Sequence, residues 1–251
     1  MSDREAIGRV LVVIPTYDEA LTIRSAVEGL RAAAPDADVL VVDDGSPDGT
    51  GEIADALAAR DGHVNVLHRE RKAGLGAAYV AGFRWGLERG YGTLVEMDAD
   101  GSHRSDDLPA LLSALVHADM VLGSRYVPGG RVVNWPWRRE VLSRGGNLYT
   151  RLALGVALRD VTGGFRAYRA GALRRLDLSE VSSQGYCFQV DLAWRVVRAG
   201  MRVVEVPITF VERVEGRSKM SGAIVREALW QVTRWGVERR VLQLRQAALR
   251  R

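Results

Sequence analysis

The chain reads as an α/β protein, with a mostly parallel sheet flanked by helices and a C-terminal amphipathic helix. Three observations predict this. Short Val- and Leu-rich runs alternate with amphipathic stretches through the first 125 residues, the pattern of parallel strands buried on both faces and joined by crossover helices. Acidic residues follow three of those runs, at the edge where an open α/β sheet binds its ligands. The last thirty residues carry apolar side chains interleaved with arginines at helical spacing.

Taken in order, Val10–Ile14, Val39–Val42, Val64–Leu67, Leu94–Met97 and Met120–Leu122 are the predicted strands. Residues 19–34, 50–60, 76–89 and 106–116 are the helices between and after them. Beyond Arg125 the pattern changes. Residues 126–140 read as a Gly/Pro/Trp/Arg-rich loop, 141–155 as a short amphipathic segment and 186–199 as a helix. Strands are expected at 202–206 and 208–211, broken by Pro207, followed by a polar stretch at 212–222 and a long basic helix over 223–246. No repeat or low-complexity linker interrupts the chain. The economical division is one domain over 1–222 with a basic amphipathic helix over 223–251, either part of the same unit or an extension onto a membrane surface.

With 251 residues, 47% hydrophobic and 26% charged, the chain has the profile of a globular unit rather than a disordered or fibrous one. A chain of this length removes roughly 75% of its unfolded surface from water, so neither disulfides nor a structural metal is required. The one cysteine, Cys187, has no partner, and no secretory leader is evident. Both point to a reducing, cytoplasmic compartment. No apolar run approaches the ~18 residues of a spanning helix, which excludes an integral membrane protein.

The net charge of +4 is unevenly placed. Residues 217–251 hold nine basic side chains against Glu227 and Glu238, a net of +7, which leaves −3 for the rest. Such an end suits an anionic partner, although solvated basic tails are common.

The strand-end residues carry the chemistry. Pro15-Thr16-Tyr17-Asp18-Glu19 and Asp43-Asp44-Gly45-Ser46-Pro47-Asp48 offer acceptors for ribose hydroxyls or a base N–H. Helix capping by Ser46 or Asp48 accounts for part of the second cluster without a ligand, but not for its two consecutive acids. The strongest local signal is Asp98-Ala99-Asp100-Gly101-Ser102. Residues i and i+2 of an extended segment point the same way. Two carboxylates about 4 Å apart would repel by ~4 kcal/mol at an effective dielectric near 20, and Mg2+ or Mn2+ would remove that cost while taking substrate phosphates into its shell. Histidines at 63, 68, 103 and 117 with one cysteine make no zinc set. Gly74-Leu75-Gly76 opens a helix after Lys72, and is read as a turn rather than a dinucleotide fingerprint. Lys72 and Lys219 are the only lysines among 35 basic residues, a hint of point-charge contacts to phosphate.

Between 125 and 144 lie five arginines, at 125, 131, 138, 139 and 144, with Trp135 and Trp137 among them. Arginine forks bind phosphate bidentately and tryptophan suits a membrane interface. Stacking on nucleic acid would use the same residues, but the proposed metal-nucleotide site already occupies the sheet edge, and no nucleic acid partner is expected.

These residues in this order resemble the GT-A, Rossmann-like, inverting glycosyltransferases of family 2, and within them the polyprenol monophosphate mannose synthases. The resemblance spans about Val10 to Gly222. It rests on Ile14–Glu19, Val42–Asp48, Met97–Asp100, Gly123–Tyr126, Asn134–Pro136, Arg159–Arg169 and Gly216–Lys219. It implies GDP-mannose as donor and a polyprenyl phosphate lipid as acceptor. By carry-over, Pro15, Tyr17, Glu19, Val42 and Asp44 would contact the nucleoside, and Asp98, Ala99 and Asp100 the pyrophosphate and metal. Arg125 and Arg139 would meet the acceptor phosphate, Arg213 and Lys219 the phosphates, and Gln189 and Asp191 would close the sugar pocket. The family often places Gln as a further metal ligand where this chain has Ser102, a weaker ligand. The acceptor oxygen is already an anion, so no general base is required; Asp191 is the nearest candidate for one. A UDP-glucose donor, or a non-enzymatic sugar-nucleotide sensor acting as a membrane scaffold, are the alternative readings. The expected location is peripheral, at the inner face of the plasma membrane, reached through the basic helix or a separate integral-membrane partner. The apolar face of that helix, with Leu229, Trp230, Val232, Trp235 and Leu242, either lies on an anionic bilayer or packs on the domain.

Overall fold

A computed structural model describes residues 6–178, 181, 186–212 and 222–249. Its main sheet has seven strands in the order β3-β2-β1-β4-β7-β5-β8. These are β1 Val10–Thr16, β2 Asp38–Asp43, β3 Val64–His68, β4 Thr93–Glu96, β5 Met120–Ser124, β7 Arg166–Arg169 and β8 Val203–Pro207. All pair in parallel except β7, which runs antiparallel between β4 and β5. A second, two-stranded sheet joins β6 Arg131–Val133 to β9 Thr209–Val211. The helices are α1 Ile23–Ala33, α2 Thr50–Ala58, α3 Leu75–Glu88, α4 Leu108–Leu115, α5 Trp137–Leu154, α6 Ala170–Arg175, α7 Tyr186–Arg198 and α8 Gly222–Leu249. None among the described residues is long and apolar enough to cross a membrane.

Both faces of the sheet are apolar, and the strand sequences show why. Leu11, Val13, Leu40 and Val42 face a core shared with α3 and α7, whereas Val10, Val12, Ile14, Val39 and Val41 face one shared with α1, α2 and α4. Period-2 alternation therefore places an apolar side chain on each face, and the strand reads as an unbroken run. Helix α3 approaches the sheet closely through glycine. A Cβ on Gly82 would overlap Val13 Cγ1 and lie 3.3 Å from Val42 Cγ2, and one on Gly86 would lie 2.7 Å from Leu11 Cδ2. Gly82→Ala is thus expected to cost about 1–3 kcal/mol by overpacking, seen as a melting temperature lower by roughly 5 °C.

Several features differ from the sequence reading, among them strand β6, which lies inside the 126–140 stretch read as a loop. Helix α5 begins at Trp137, inside the stretch read as a loop, because Pro136 in extended backbone precedes a turn that the chain then continues. Strand β7 and helix α6 were not anticipated: Arg166 and Arg169 disguise a buried strand. Helix α1 starts at Ile23 rather than 19, since Asp18 adopts a left-handed backbone with φ of 59°.

Helix α8 packs on the domain through part of its surface. Trp235 and Val232 are buried, and Trp235 stacks on Trp194 with ring centroids 5.5 Å apart. Gly236 lets α8 approach the Ala153 carbonyl of α5, and Arg239 lies over Gly155. Leu229 and Trp230 remain exposed, so the residues predicted as one face divide between packing and solvent. The side chain of Leu242 lies outside the described set.

Candidate active site

The strand order reverses at β1. From there the chain proceeds outward to β2 and β3, then returns to place β4 on the other side of β1. Ligands of open α/β sheets bind at such a switch point, beyond the carboxyl ends of the strands. The register pairs Pro15 with Val42 and Val13 with Glu96. Asp98, two residues beyond Glu96, therefore comes level with Pro15 and Val42. Tyr17, Glu19 and Asp44 follow on the same edge, so the topology gathers the predicted nucleoside and pyrophosphate residues.

The loops after β1 and β2 are tied together by short polar side chains. Asp43 accepts hydrogen bonds from Thr16 Oγ1 at 3.1 Å and from Ser46 Oγ at 2.5 Å, while Ser46 Oγ accepts from the Asp18 N–H. Asp48 accepts from the backbone and hydroxyl of Thr50 and from the Ala20 N–H. Burial at Asp48 is outweighed by those bonds, which hold its carboxyl below the ordinary value. Asp48 is therefore a turn builder, as the capping alternative had it, and so is Asp43, which that alternative did not cover. Asp44 is different: it is buried and accepts from Arg69 Nη1 at 2.7 Å and from the Ala73 N–H at 3.2 Å. That closes the 69–73 loop over the β2 edge and brings Lys72 Nζ 3.7 Å from the centre of the Tyr17 ring. Gly74 starts α3 with φ of 96°, and Gly76 lies beneath the Phe188 ring. This glycine pair serves the turn and the packing.

Asp98 is held from several sides. Tyr79, fully buried on α3, donates its hydroxyl to Asp98 Oδ1 at 3.0 Å. Burial, and then the charge of Asp98, push Tyr79 well above its ordinary value, which keeps the phenol a donor. The Asp98 N–H donates to His103 Nδ1 at 3.2 Å, so a neutral His103 carries its proton on Nε2. His103 is buried between Phe165 and Phe210, with centroids 5.3 and 5.5 Å away. Neither Tyr79 nor His103 had been singled out from the sequence. Asp100 Oδ1 accepts the Ser102 N–H at 3.0 Å, a turn that needs Gly101 at φ of 73°. Ala99 is buried between them, and Ser102 Oγ is buried without a hydrogen-bond partner.

Gly164 forms a cradle against this carboxylate. A Cβ there would lie 3.4 Å from Asp98 Oδ2, 3.4 Å from His103 Cε1 and 3.8 Å from Gln189 Nε2. Gln189, on α7, is buried, and its amide lies beside the Glu96 carboxyl, which it helps to stabilise. Below lies Glu96, fully buried, accepting from Tyr168 Oη at 2.9 Å. Burial pushes its carboxyl up to about 7 against the pull of the Arg166 guanidinium. Arg166, itself fully buried, donates to the carbonyls of Val161, Gly163 and Gln189, each at 2.6 Å. This guanidinium fastens the Gly163-Gly164 turn to α7 beside the carboxylates.

Arg125 has a partner that the sequence did not show. Its Nε and Nη2 donate to the two oxygens of Asp160 at 2.7 and 2.6 Å, its backbone N–H donates to Oδ2, and the pair is buried. The fork read as an acceptor-phosphate ligand is thus engaged by a carboxylate 35 residues away. The guanidinium also organises the loop, with the rings of Tyr126, Trp135 and Phe210 within 5.3 Å. Arg139 pairs with Glu212 and lies 4.5 Å from the Trp135 ring centre. Asp191, two residues beyond Gln189 on α7, is buried and accepts from Arg195 Nε at 2.8 Å. Arg213 and Lys219 lie outside the described residues.

The chain matches the description "Glycosyl transferase family 2" over residues 11–177. It belongs to that family. An undecaprenyl-phosphate mannosyltransferase from Micrococcus luteus is 60% identical over 232 residues, covering 92% of this chain and 96% of that one. A polyprenol monophosphomannose synthase from Mycolicibacterium smegmatis is 57% identical over 235 residues, 93% of this chain and 89% of that one. Among solved structures, glucosyl-3-phosphoglycerate synthase from Mycobacterium tuberculosis, in complex with Mn2+, UDP-glucose and phosphoglyceric acid, superposes with a TM-score of 0.67 at 20% identity, covering 92% of this chain and 78% of that one. A mannosyltransferase from Pyrobaculum calidifontis, in complex with GDP-Man and Mn2+, gives 0.58 at 18% identity, over 96% and 75%. These two fix the GT-A fold of the family 2 chain.

Proposed function

We propose that this family 2 protein is an inverting mannosyltransferase that moves mannose from GDP-mannose to a polyprenyl phosphate, yielding polyprenyl β-mannosyl phosphate and GDP. The reading is carried by the cradle at Gly164, where the Asp98 carboxylate and the Gln189 amide face one space at the switch point of the sheet. That space suits a hexose hydroxyl beside a diphosphate. The printed names of the relatives above support the acceptor class and the transferred sugar.

Asp98 and Asp100 supply hard carboxylate oxygens, the donor type Mg2+ or Mn2+ takes. No cage of three or more His, Cys, Asp or Glu side chains occurs among the described residues, so two carboxylates leave the remaining positions to the diphosphate and water, with Ser102 at most a weak neighbour. Bound there, the divalent ion would neutralise the charge that develops on the leaving GDP. The protein's own part is orientation. Tyr79 and His103 hold Asp98 in place, Pro15, Tyr17, Glu19, Val42 and Asp44 bound the nucleoside, and Lys72 stands over Tyr17 as a phosphate-range cation. Gln189 binds the sugar, with Asp191 held behind it by Arg195. A phosphate oxygen attacks the anomeric carbon from the face opposite GDP, the C–O bond to the diphosphate breaks, and no proton need move. Arg125, Arg139, Arg213 and Lys219 are assigned to the phosphates, with Arg125 braced by Asp160. The site of work is the inner face of the plasma membrane, with the protein bound peripherally.

Donor choice is the test. Calorimetric titration with Mn2+ present should rank GDP and GDP-mannose above UDP and UDP-glucose by at least tenfold. Equal or reversed ranking would reject the donor assignment.

A further inference from the structure

Helix α5 carries a bare apolar stripe. Trp137, Val141, Leu148 and Leu152 are 68%, 60%, 53% and 69% exposed. Spaced i, i+4, i+11 and i+15, they fall within an arc of roughly 60° at ~100° per residue. The opposite side holds Asn147, Thr150 and Leu154, which are buried. Among the described residues, helix α8 meets the neighbouring flank, through the Tyr149–Thr233 hydrogen bond and Gly236 against Ala153. Arg144 and Gly145 separate the stripe into two apolar halves, and a soluble surface rarely leaves so many large apolar side chains to water on one helix face.

Basic groups border the stripe. Arg144, paired with Glu140 at 2.8 Å, and Arg151 run along one edge and Arg138 stands on the other side. At the C-terminal end a cleft of about 300 Å3 is lined by Leu148, Arg151, Leu152, Gly155, Val156 and Ala157. Arg151 Nε is buried there with no hydrogen-bond partner. An apolar cleft with an unpartnered guanidinium N–H matches an amphiphile bearing a phosphate. The N-terminal end of α5 connects to the site: Trp137 follows Trp135, which packs on Phe210, which packs on His103 behind Asp98.

We propose that the exposed face of α5 is the surface on which this protein lies on an anionic bilayer, with a lipid headgroup phosphate received at Arg151. This surface is distinct from the basic C-terminal helix that the sequence pointed to. The inference rests on the reading that the acceptor is borne by a bilayer. It deepens that reading by setting which side of the molecule meets lipid, with the Trp137 end of the helix nearest the acceptor's route to Asp98. Tryptophan and arginine at a helix surface suit the headgroup boundary, and the leucines its apolar side.

The test is sedimentation of the full chain with vesicles of phosphatidylglycerol and phosphatidylcholine. Wild type is expected to bind phosphatidylglycerol vesicles, and Leu148→Glu/Leu152→Glu to lose at least tenfold in affinity. Both positions are exposed, so its melting temperature should be unchanged, and transfer to a short polyprenyl phosphate in detergent should persist. Arg151→Gln should bind phosphatidylglycerol severalfold more weakly. Unchanged vesicle binding by the double variant overturns the surface, and unchanged binding by Arg151→Gln overturns the headgroup assignment. A wild type that ignores vesicles and elutes as a dimer, split by the double variant, would assign the stripe to a second copy and overturn the proposal. Failure of the wild type to transfer to the detergent-dispersed acceptor would reject the functional reading alone, since vesicle binding is scored separately.

Discussion

Asp160→Ala is expected to lower the unfolding free energy by about 3–5 kcal/mol. The carboxylate is fully buried and receives the Arg125 backbone N–H, both bonds of its guanidinium fork, and contacts from Thr162 and Asn147. Removing it strands a guanidinium only 7% exposed, and an uncompensated buried charge costs more than the pair contributes. For a chain of this size that is a fall in melting temperature of about 10 °C. Arg125→Met/Asp160→Leu should recover much of the loss, because an apolar pair needs no hydrogen bonds. A double-mutant cycle by thermal melting checks both statements.

Asp98→Asn separates chemistry from folding. The amide keeps the shape and can still accept the Tyr79 hydroxyl, and the position is only half-buried, so the melting temperature should move by no more than about 2 °C. Its negative charge is gone, however. Transfer is expected to fall at least ~100-fold, the scale for losing one group that stabilises developing charge, and Mn2+ affinity measured by calorimetry should fall in step. Retained Mn2+ binding together with retained turnover would remove Asp98 from the metal edge.

How much of this was legible in the sequence follows from the range of the interactions. The strands and the helices between them were readable because alternation within a few residues sets which face is apolar, and Val10–Ile14 and Val39–Val42 fall inside β1 and β2. The acids at the strand ends were readable for the same reason. What was not readable depends on partners distant in sequence. Arg125 looked like an unbraced phosphate ligand because nothing near it opposes its charge; Asp160 lies 35 residues on. Strand β7 was hidden because Arg166 reads as surface, yet three backbone carbonyls satisfy it in the core. Tyr79 sat in an amphipathic helix with nothing to mark it, and only folding brings it to Asp98, 19 residues away. The stripe on α5 was split in the sequence between a supposed loop and a short segment, so its helical period could not be counted.

The most direct test of the account is transfer of labelled mannose from GDP-mannose to a short polyprenyl phosphate by the purified protein, with Mg2+ or Mn2+ and with chelator. A lipid-linked β-mannosyl phosphate that forms only with the metal, and is lost in Asp100→Ala, is the predicted result. Product formed equally in chelator, or no mannosyl lipid from a folded protein that binds GDP, would contradict it.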